Sequence, residues 1–185
     1  TDGVSTGKTV NWHQAAPASL VLITGPEAYL AQRAARSIKN QLKAQHPDLE
    51  FTEVQDGEYS PGLIFSLAAP SLFEEPRMVL IQSAAESLTE DLLKLFEDGP
   101  QNCTIVLRLP NLVGHNGKAK KALSPMALNV VCDEVKKDAD RIDFVKREFQ
   151  RIGVPVDQAA TRALITAFGS DMGELGAACD QLAKS

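Results

Sequence analysis

Four aliphatic residues in a row, Leu20-Val21-Leu22-Ile23, run into Thr24 and are broken by Gly25-Pro26. No polar residue alternates with the apolar ones, so a strand here must be buried on both faces. That demand is met by an interior strand of a parallel sheet covered by helices. The residues that follow agree. Leu30, Ala34, Ile38 and Leu42 recur at four-residue spacing and mark one face of a helix that closes near His46-Pro47.

The same alternation continues. Phe51 to Gln55 reads as a second strand, ended by Asp56-Gly57. Ser60-Pro61 predicts a helix start, with Leu63, Ile64 and Leu67 as its buried stripe and Pro70 as its stop. Arg77 to Gln82 is a third strand. Ser87-Leu88-Thr89-Glu90 has the form of a capping box for a helix through Phe96, stopped by Gly99-Pro100. Cys103 to Leu109 and Leu128 to Cys132 supply a fourth and a fifth strand. Strands alternating with helices imply right-handed crossovers and a mostly parallel α/β sheet. The expected organisation is a flexible leader over residues 1–17, an α/β domain over 18–135 and a three-helix lid over 136–185. In the lid, Ile142, Val145, Phe149 and Ile152 form one stripe, and Asp157 and Asp171 cap the second and third helices. The third helix ends where the chain does, at Ser185, which is the expectation for a piece of something longer.

Gly3 to Thr9, GVSTGKT, invites a nucleotide-binding reading. A phosphate loop, G-x-x-x-x-G-K-[ST], needs its first glycine where this chain has Asp2, and a buried strand before it where there is only Thr1. The expectation is a leader without a site. The position that matters is Gly25, after the first buried strand, because phosphates in such folds sit on that loop and on the helix N-terminus behind it. There Leu30, Ala31 and Gln32 stand where glycine, lysine and serine or threonine belong. Pro26 offers no amide, and Glu27 brings a negative charge to the place a phosphate would occupy. The strand Met78-Val79-Leu80-Ile81 runs into Gln82-Ser83, with no acid to position magnesium. The scaffold is of the nucleotide-binding type, and no cofactor is expected.

Composition narrows the classes further. A net charge of −5 argues against a dedicated nucleic-acid binder. Lys118, Lys120 and Lys121 could reach DNA phosphates, but a short run on a helix reads first as a solvated face. Cys103, Cys132 and Cys179 are far apart and read as buried free thiols of a reducing compartment, and the three histidines are scattered, so no metal site is expected. No signal-type apolar segment opens the chain, and a cytoplasmic location is expected. Ser5, Ser71 and Ser170 have no histidine or acid at motif spacing, so catalysis through a serine has no support.

Taken together, Leu20-Val21-Leu22-Ile23-Thr24-Gly25-Pro26-Glu27, Ser71-Leu72-Phe73 with Arg77 four residues on, and Phe168-Gly169 through Leu182 resemble the delta subunit of the bacterial DNA polymerase III clamp loader. The resemblance implies an AAA+-like first domain without a working ATP site and a helical second domain. A third, collar-forming domain would be absent from this chain. It also implies a non-catalytic subunit that binds the sliding clamp (the beta subunit). Such a subunit assembles with the gamma/tau and delta prime subunits, which supply ATP hydrolysis, and meets primed DNA only as part of the complex. The residues carried over are Leu72 and Phe73, a hydrophobic plug for a pocket on the clamp, with Ser71 capping the short turn that presents them and Pro70 and Pro76 bracketing it. By residue type alone a Leu-Phe pair beside a strand belongs in a core; the resemblance puts it in solvent. Two other readings remain: a phosphate-loop NTPase using Gly7-Lys8-Thr9 or Gly25, and an α/β interaction module with a different partner.

Overall fold

In a computed structural model the chain is described over residues 7–70, 72–73, 75–98 and 102–185. It divides into two compact units between Asp133 and Glu134.

The first unit is a six-stranded sheet in which every pairing is parallel. Its strands are β1 (Thr9–Asn11), β2 (Leu20–Thr24), β3 (Glu50–Val54), β4 (Arg77–Ile81), β5 (Cys103–Leu109) and β6 (Leu128–Val131). They lie in the order β1-β6-β2-β5-β4-β3. All five residues of β2 are buried, as a strand flanked by β6 and β5 and covered on both faces must be. The helices are α1 (Ala28–Gln45), α2 (Leu63–Ala68), α3 (Leu88–Glu97) and α4 (Gly114–Leu123). One face of the sheet, with Leu20, Leu22, Val79, Ile81, Ile105 and Leu107, packs with Ile64 of α2, Leu88 and Leu92 of α3 and Leu123 of α4. Strand alternation sends Leu80 and Arg108 to the other face, alongside α1. Leu30, Ala34, Ile38 and Leu42 of that helix are all buried, as their spacing predicts.

The amino-terminal region departs from expectation. Residues 1–6 lie outside the described residues. Lys8 and the residues after it are no loose leader: β1 pairs in register with β6, Thr9 opposite Asn129 and Asn11 opposite Val131. Asn129 N–H donates to the Lys8 carbonyl at 2.8 Å, and Gly7 N–H to the Ala127 carbonyl at 2.8 Å. A single 3-10 turn, Trp12–Gln14, follows, and Gln41 of α1 donates to the Ala15 carbonyl at 2.9 Å. The strand escapes notice in the sequence because it is short and only its middle residue, Val10, is even half-buried. Its stability comes from the backbone ladder that closes the outer edge of β6.

Two helix starts also differ from their sequence signals. Helix α2 begins at Leu63 behind Gly62, whose φ of 81° requires glycine, so Ser60-Pro61 precedes the helix as a turn. Ser87 precedes α3 but makes no side-chain capping bond. The Gly99-Pro100 stop lies outside the described residues.

The second unit comprises α5 (Asp138–Ile152), α6 (Gln158–Phe168) and α7 (Met172–Lys184). Asp157 accepts from Ala160 N–H at 2.7 Å and Asp171 from Glu174 N–H at 2.9 Å, so both helices start on the capping residues that their sequence marks. Gly153, with φ of 84°, ends α5. Arg141 of α5 donates through Nε to the Gly169 carbonyl at 2.9 Å, closing α5 onto the α6–α7 turn.

Candidate functional site

Helix α2 is short and is held at both ends. At its start, Asp91 of α3 accepts from the Tyr59 hydroxyl at 2.7 Å and from Gly62 N–H at 2.8 Å. The Tyr59 hydroxyl in turn accepts weakly from Ile64 N–H at 3.4 Å. Burial, together with its bond to the Asp91 carboxylate, pushes the Tyr59 phenol well above its ordinary range, so the hydroxyl stays a donor. At the other end, Arg77, the first residue of β4, donates through Nη1 to the Leu67 carbonyl at 3.1 Å. Arg77 Nε stands 3.1 Å from Glu50 Oε2, close enough for an ion pair although not aligned as a hydrogen bond.

Leu72 and Phe73 lie in sequence between Leu67 and Arg77. Leu72 is 96% exposed and Phe73 82% exposed. A leucine and a phenylalanine side by side in solvent forgo roughly 3–6 kcal/mol of burial, a cost that a partner surface would remove. Phe65, on the outer side of α2, is 39% exposed and adds an aromatic a few residues upstream. Ser71 and Glu74 lie outside the described residues. The sequence marked Leu72 and Phe73; Phe65 it assigned to no role, and its signal is weak, a phenylalanine one position off the Leu63, Ile64, Leu67 stripe. Because the segment precedes β4 while Gly25 follows β2 in a parallel sheet, the exposed pair and the Gly25 loop lie at opposite ends of the strands.

The Gly25 loop is closed by the protein itself. Gly25 has φ of 113°, and a Cβ there would stand 2.3 Å from the Cys132 carbonyl oxygen. That same carbonyl accepts from Glu27 N–H at 3.1 Å, and Cys132 N–H donates to the Thr24 carbonyl at 2.7 Å. Arg108 Nη1 donates to the Gly25 carbonyl at 3.0 Å. Glu27 is the N-cap of α1, its Oε1 accepting from Tyr29 N–H at 3.3 Å. A carboxylate thus occupies the positive end of the helix, and the loop amide of Glu27 is spent on a backbone carbonyl. Leu30 and Ala31, at positions where a phosphate loop has glycine and lysine, are buried in the core. At the end of β4, Gln82 and Ser83 offer no carboxylate; Ser83, held at φ of 140°, donates its hydroxyl to Asn116 Oδ1 at 3.1 Å. These residues do not fit a nucleotide triphosphate with magnesium. The one sequence signal of Arg108's role is a lone charge inside the apolar run Cys103 to Leu109.

The remaining candidates are the α4 lysines and the three cysteines, of which Cys132 borders the Gly25 loop. Lys118, Lys120 and Lys121 sit on α4, the first and last exposed. Cys103, Cys132 and Cys179 are buried free thiols; burial pushes them up to about 11, about 12 and about 11. Among the described residues no cluster of histidine, cysteine and acids could hold a metal, and no helix is long and apolar enough to cross a membrane.

No family model and no curated protein matches this sequence. Solved structures do. The DNA clamp loader delta protein of Bacillus subtilis superimposes with a TM-score of 0.60 at 16% identity, over 91% of this chain and 53% of that one. Domain III of the replication initiation protein DnaA of Thermotoga maritima superimposes with a TM-score of 0.51 at 13% identity, over 86% of this chain and 72% of that one. The fold is AAA+-like. At this identity the likeness is one of fold alone. The chain spans about half the length of the clamp loader delta protein. The Gly25 loop is filled by the protein's own groups, whereas Leu72 and Phe73 are exposed at the opposite end of the strands.

Proposed function

We propose that this protein is a clamp-loader subunit of the delta type, which binds a ring-shaped sliding clamp through Leu72 and Phe73 and favours an opened ring for loading onto primed DNA. The single observation carrying this reading is the exposure of both side chains on a segment pinned at its base by Arg77 and, through α2, by Asp91. Two large apolar side chains side by side in solvent have the form of a hot-spot pair that fills a pocket. The structural likeness to a clamp loader delta protein makes a clamp the partner of choice.

The chain hydrolyses no ATP in this reading, because its loop carbonyl, loop amide and helix N-terminus are all engaged by the protein's own groups. Energy for loading comes from partner subunits of the gamma/tau and delta prime kind, and primed DNA is met only in their company. The chain's own contribution is differential: it opens a ring only by the difference between its affinities for open and closed forms. Ser71, next to the pair in sequence, is assigned to the same site.

Surface plasmon resonance against a purified bacterial sliding clamp tests this. Saturable binding is expected, with Leu72→Ala/Phe73→Ala losing roughly thirtyfold or more in affinity while keeping its fold. Unchanged binding by the folded double variant would overturn the proposal. So would saturable binding of MgATP, which would return the chain to the NTPases.

A further inference from the structure

A second surface, distant in role from the exposed pair, lies on the α1 side of the sheet. A groove of about 750 Å³ runs between α1 and strands β3, β4 and β5. Phe51 and Leu80 line it with apolar surface, and Arg36, Lys39 and Arg108 with positive charge; Glu53 is the acid among its lining residues. The α1 wall carries Ala28 and Ala35, whose small side chains let another backbone approach. From Ala28 to Lys39 the wall is about 16 Å long at 1.5 Å per residue, enough for about three turns of a helix laid alongside.

The charges in the groove are unequal in availability. Glu53 Oε2 already accepts from Gln55 Nε2 at 2.7 Å and from Gln82 Nε2 at 3.1 Å. Arg36 is exposed and makes no ion pair among the described residues. Lys39 Nζ lies 3.8 Å from the Phe51 ring centre in a cation–π contact, and Lys39 lines the groove. Arg108 has one Nη engaged by the Gly25 carbonyl, with the rest of the guanidinium lining the groove. A chain of net charge −5 therefore presents a locally cationic trough with an apolar floor.

We propose that this groove is a docking site for an acidic amphipathic segment of a partner protein, bound as a helix with its apolar side on Phe51 and Leu80 and its carboxylates toward Arg36, Lys39 and Arg108. Charge complementarity selects the partner's sign, and the apolar floor beside an alanine-lined wall selects a helix in a groove. A nucleic-acid strand fits less well, because the groove carries the Glu53 carboxylate beside its cations. Nothing in this site depends on Leu72 or Phe73.

The test is selection of a random 16-residue peptide library displayed on phage against the full chain, with counter-selection on the doubly charge-reversed variant Arg36→Glu/Lys39→Glu. Arg36 is exposed and Lys39 half-buried over Phe51, and circular dichroism checks that the variant keeps its fold. The expected result is enrichment of acidic peptides with apolar residues at i and i+4. Their synthetic versions should bind wild type saturably, lose roughly tenfold or more in affinity to the variant, weaken with salt, and bind Leu72→Ala/Phe73→Ala as tightly as wild type. Enriched peptides that are neutral or basic, the absence of any enrichment specific to wild type, or loss of binding on alanine substitution of Leu72 and Phe73 would each overturn the proposal. Tighter, variant-sensitive binding of an oligothymidine strand than of the best peptide would also overturn it, and would make the groove a nucleic-acid surface instead.

Discussion

The α-carbon of Gly25 faces the backbone of Cys132 so closely that a methyl group on it would stand 2.3 Å from the Cys132 carbonyl oxygen. In a nucleotide-binding chain the glycine of this loop leaves room for a phosphate. Here the room is taken by the strand end of β6, and the glycine exists for a backbone contact. Gly25→Ala is therefore expected to destabilise the first unit by about 2 kcal/mol or more, from the clash and from the φ of 113° together. Urea unfolding followed by circular dichroism measures this, and excess MgATP should leave the midpoint of wild type where it is.

Removing Leu72 and Phe73 should separate folding from binding. Side chains 96% and 82% exposed contribute little to the native state, so the double alanine variant is expected to unfold within about 0.5 kcal/mol of wild type. A large loss of stability would mean that the pair packs within the domain.

Arg77 acts on the same segment indirectly. Replacing it with glutamine removes the ion pair with Glu50 and leaves an amide too short to span the 3.1 Å contact made by the guanidinium with Leu67. Under the proposed function, clamp affinity should fall several-fold through a looser projection, with the apolar contacts themselves intact. Restoring the length and fork of the side chain is the only expected remedy, so Arg77→Lys should recover less than wild-type binding.

Asp91 holds the opposite end of α2. Asp91→Ala strands the Tyr59 hydroxyl and Gly62 N–H and is expected to cost about 2–3 kcal/mol, whereas Tyr59→Phe, which leaves the Gly62 bond in place, should cost about 1 kcal/mol. Their double variant should fall short of the sum, because the two share one bond. Chemical denaturation of the three variants decides this.

The thiols give a pH signature. Cys103, Cys132 and Cys179 are pushed up to about 11, about 12 and about 11 by burial, so folding favours their protonated forms. A folded value above the unfolded one gives stability that is whole below about pH 8.5, the ordinary thiol range, and lost as pH rises through the folded values. Denaturation midpoints should stay flat with respect to these groups up to that pH and decline above it. At pH 8 a thiol-specific disulfide reagent should label the native chain slowly and the unfolded chain at all three cysteines.

Legibility followed burial. The unbroken run Leu20-Val21-Leu22-Ile23 announced an interior strand because both of its faces are covered, and the spacing of Leu30, Ala34, Ile38 and Leu42 announced α1 because one face of it is. Edge strand β1 was missed for the converse reason: the ladder that holds it is made of backbone, which every sequence shares. The α2 start was misplaced because Ser60-Pro61 and Gly62 both punctuate the chain, and the choice between them was made by Asp91, far along in sequence, accepting from Gly62.

By itself, then, the sequence determined the α/β alternation, the helical second unit and the missing lysine and acid of a phosphate site, since each is written in local periodicity or in residue type. Only the tertiary structure decided that Cys132 and Arg108 fill the loop, that Phe65 stands outside α2 and that Leu72 and Phe73 face solvent. An apolar residue reads the same on the page whether it is sealed or bare, and distance in space between residues distant in sequence is set by the fold as a whole.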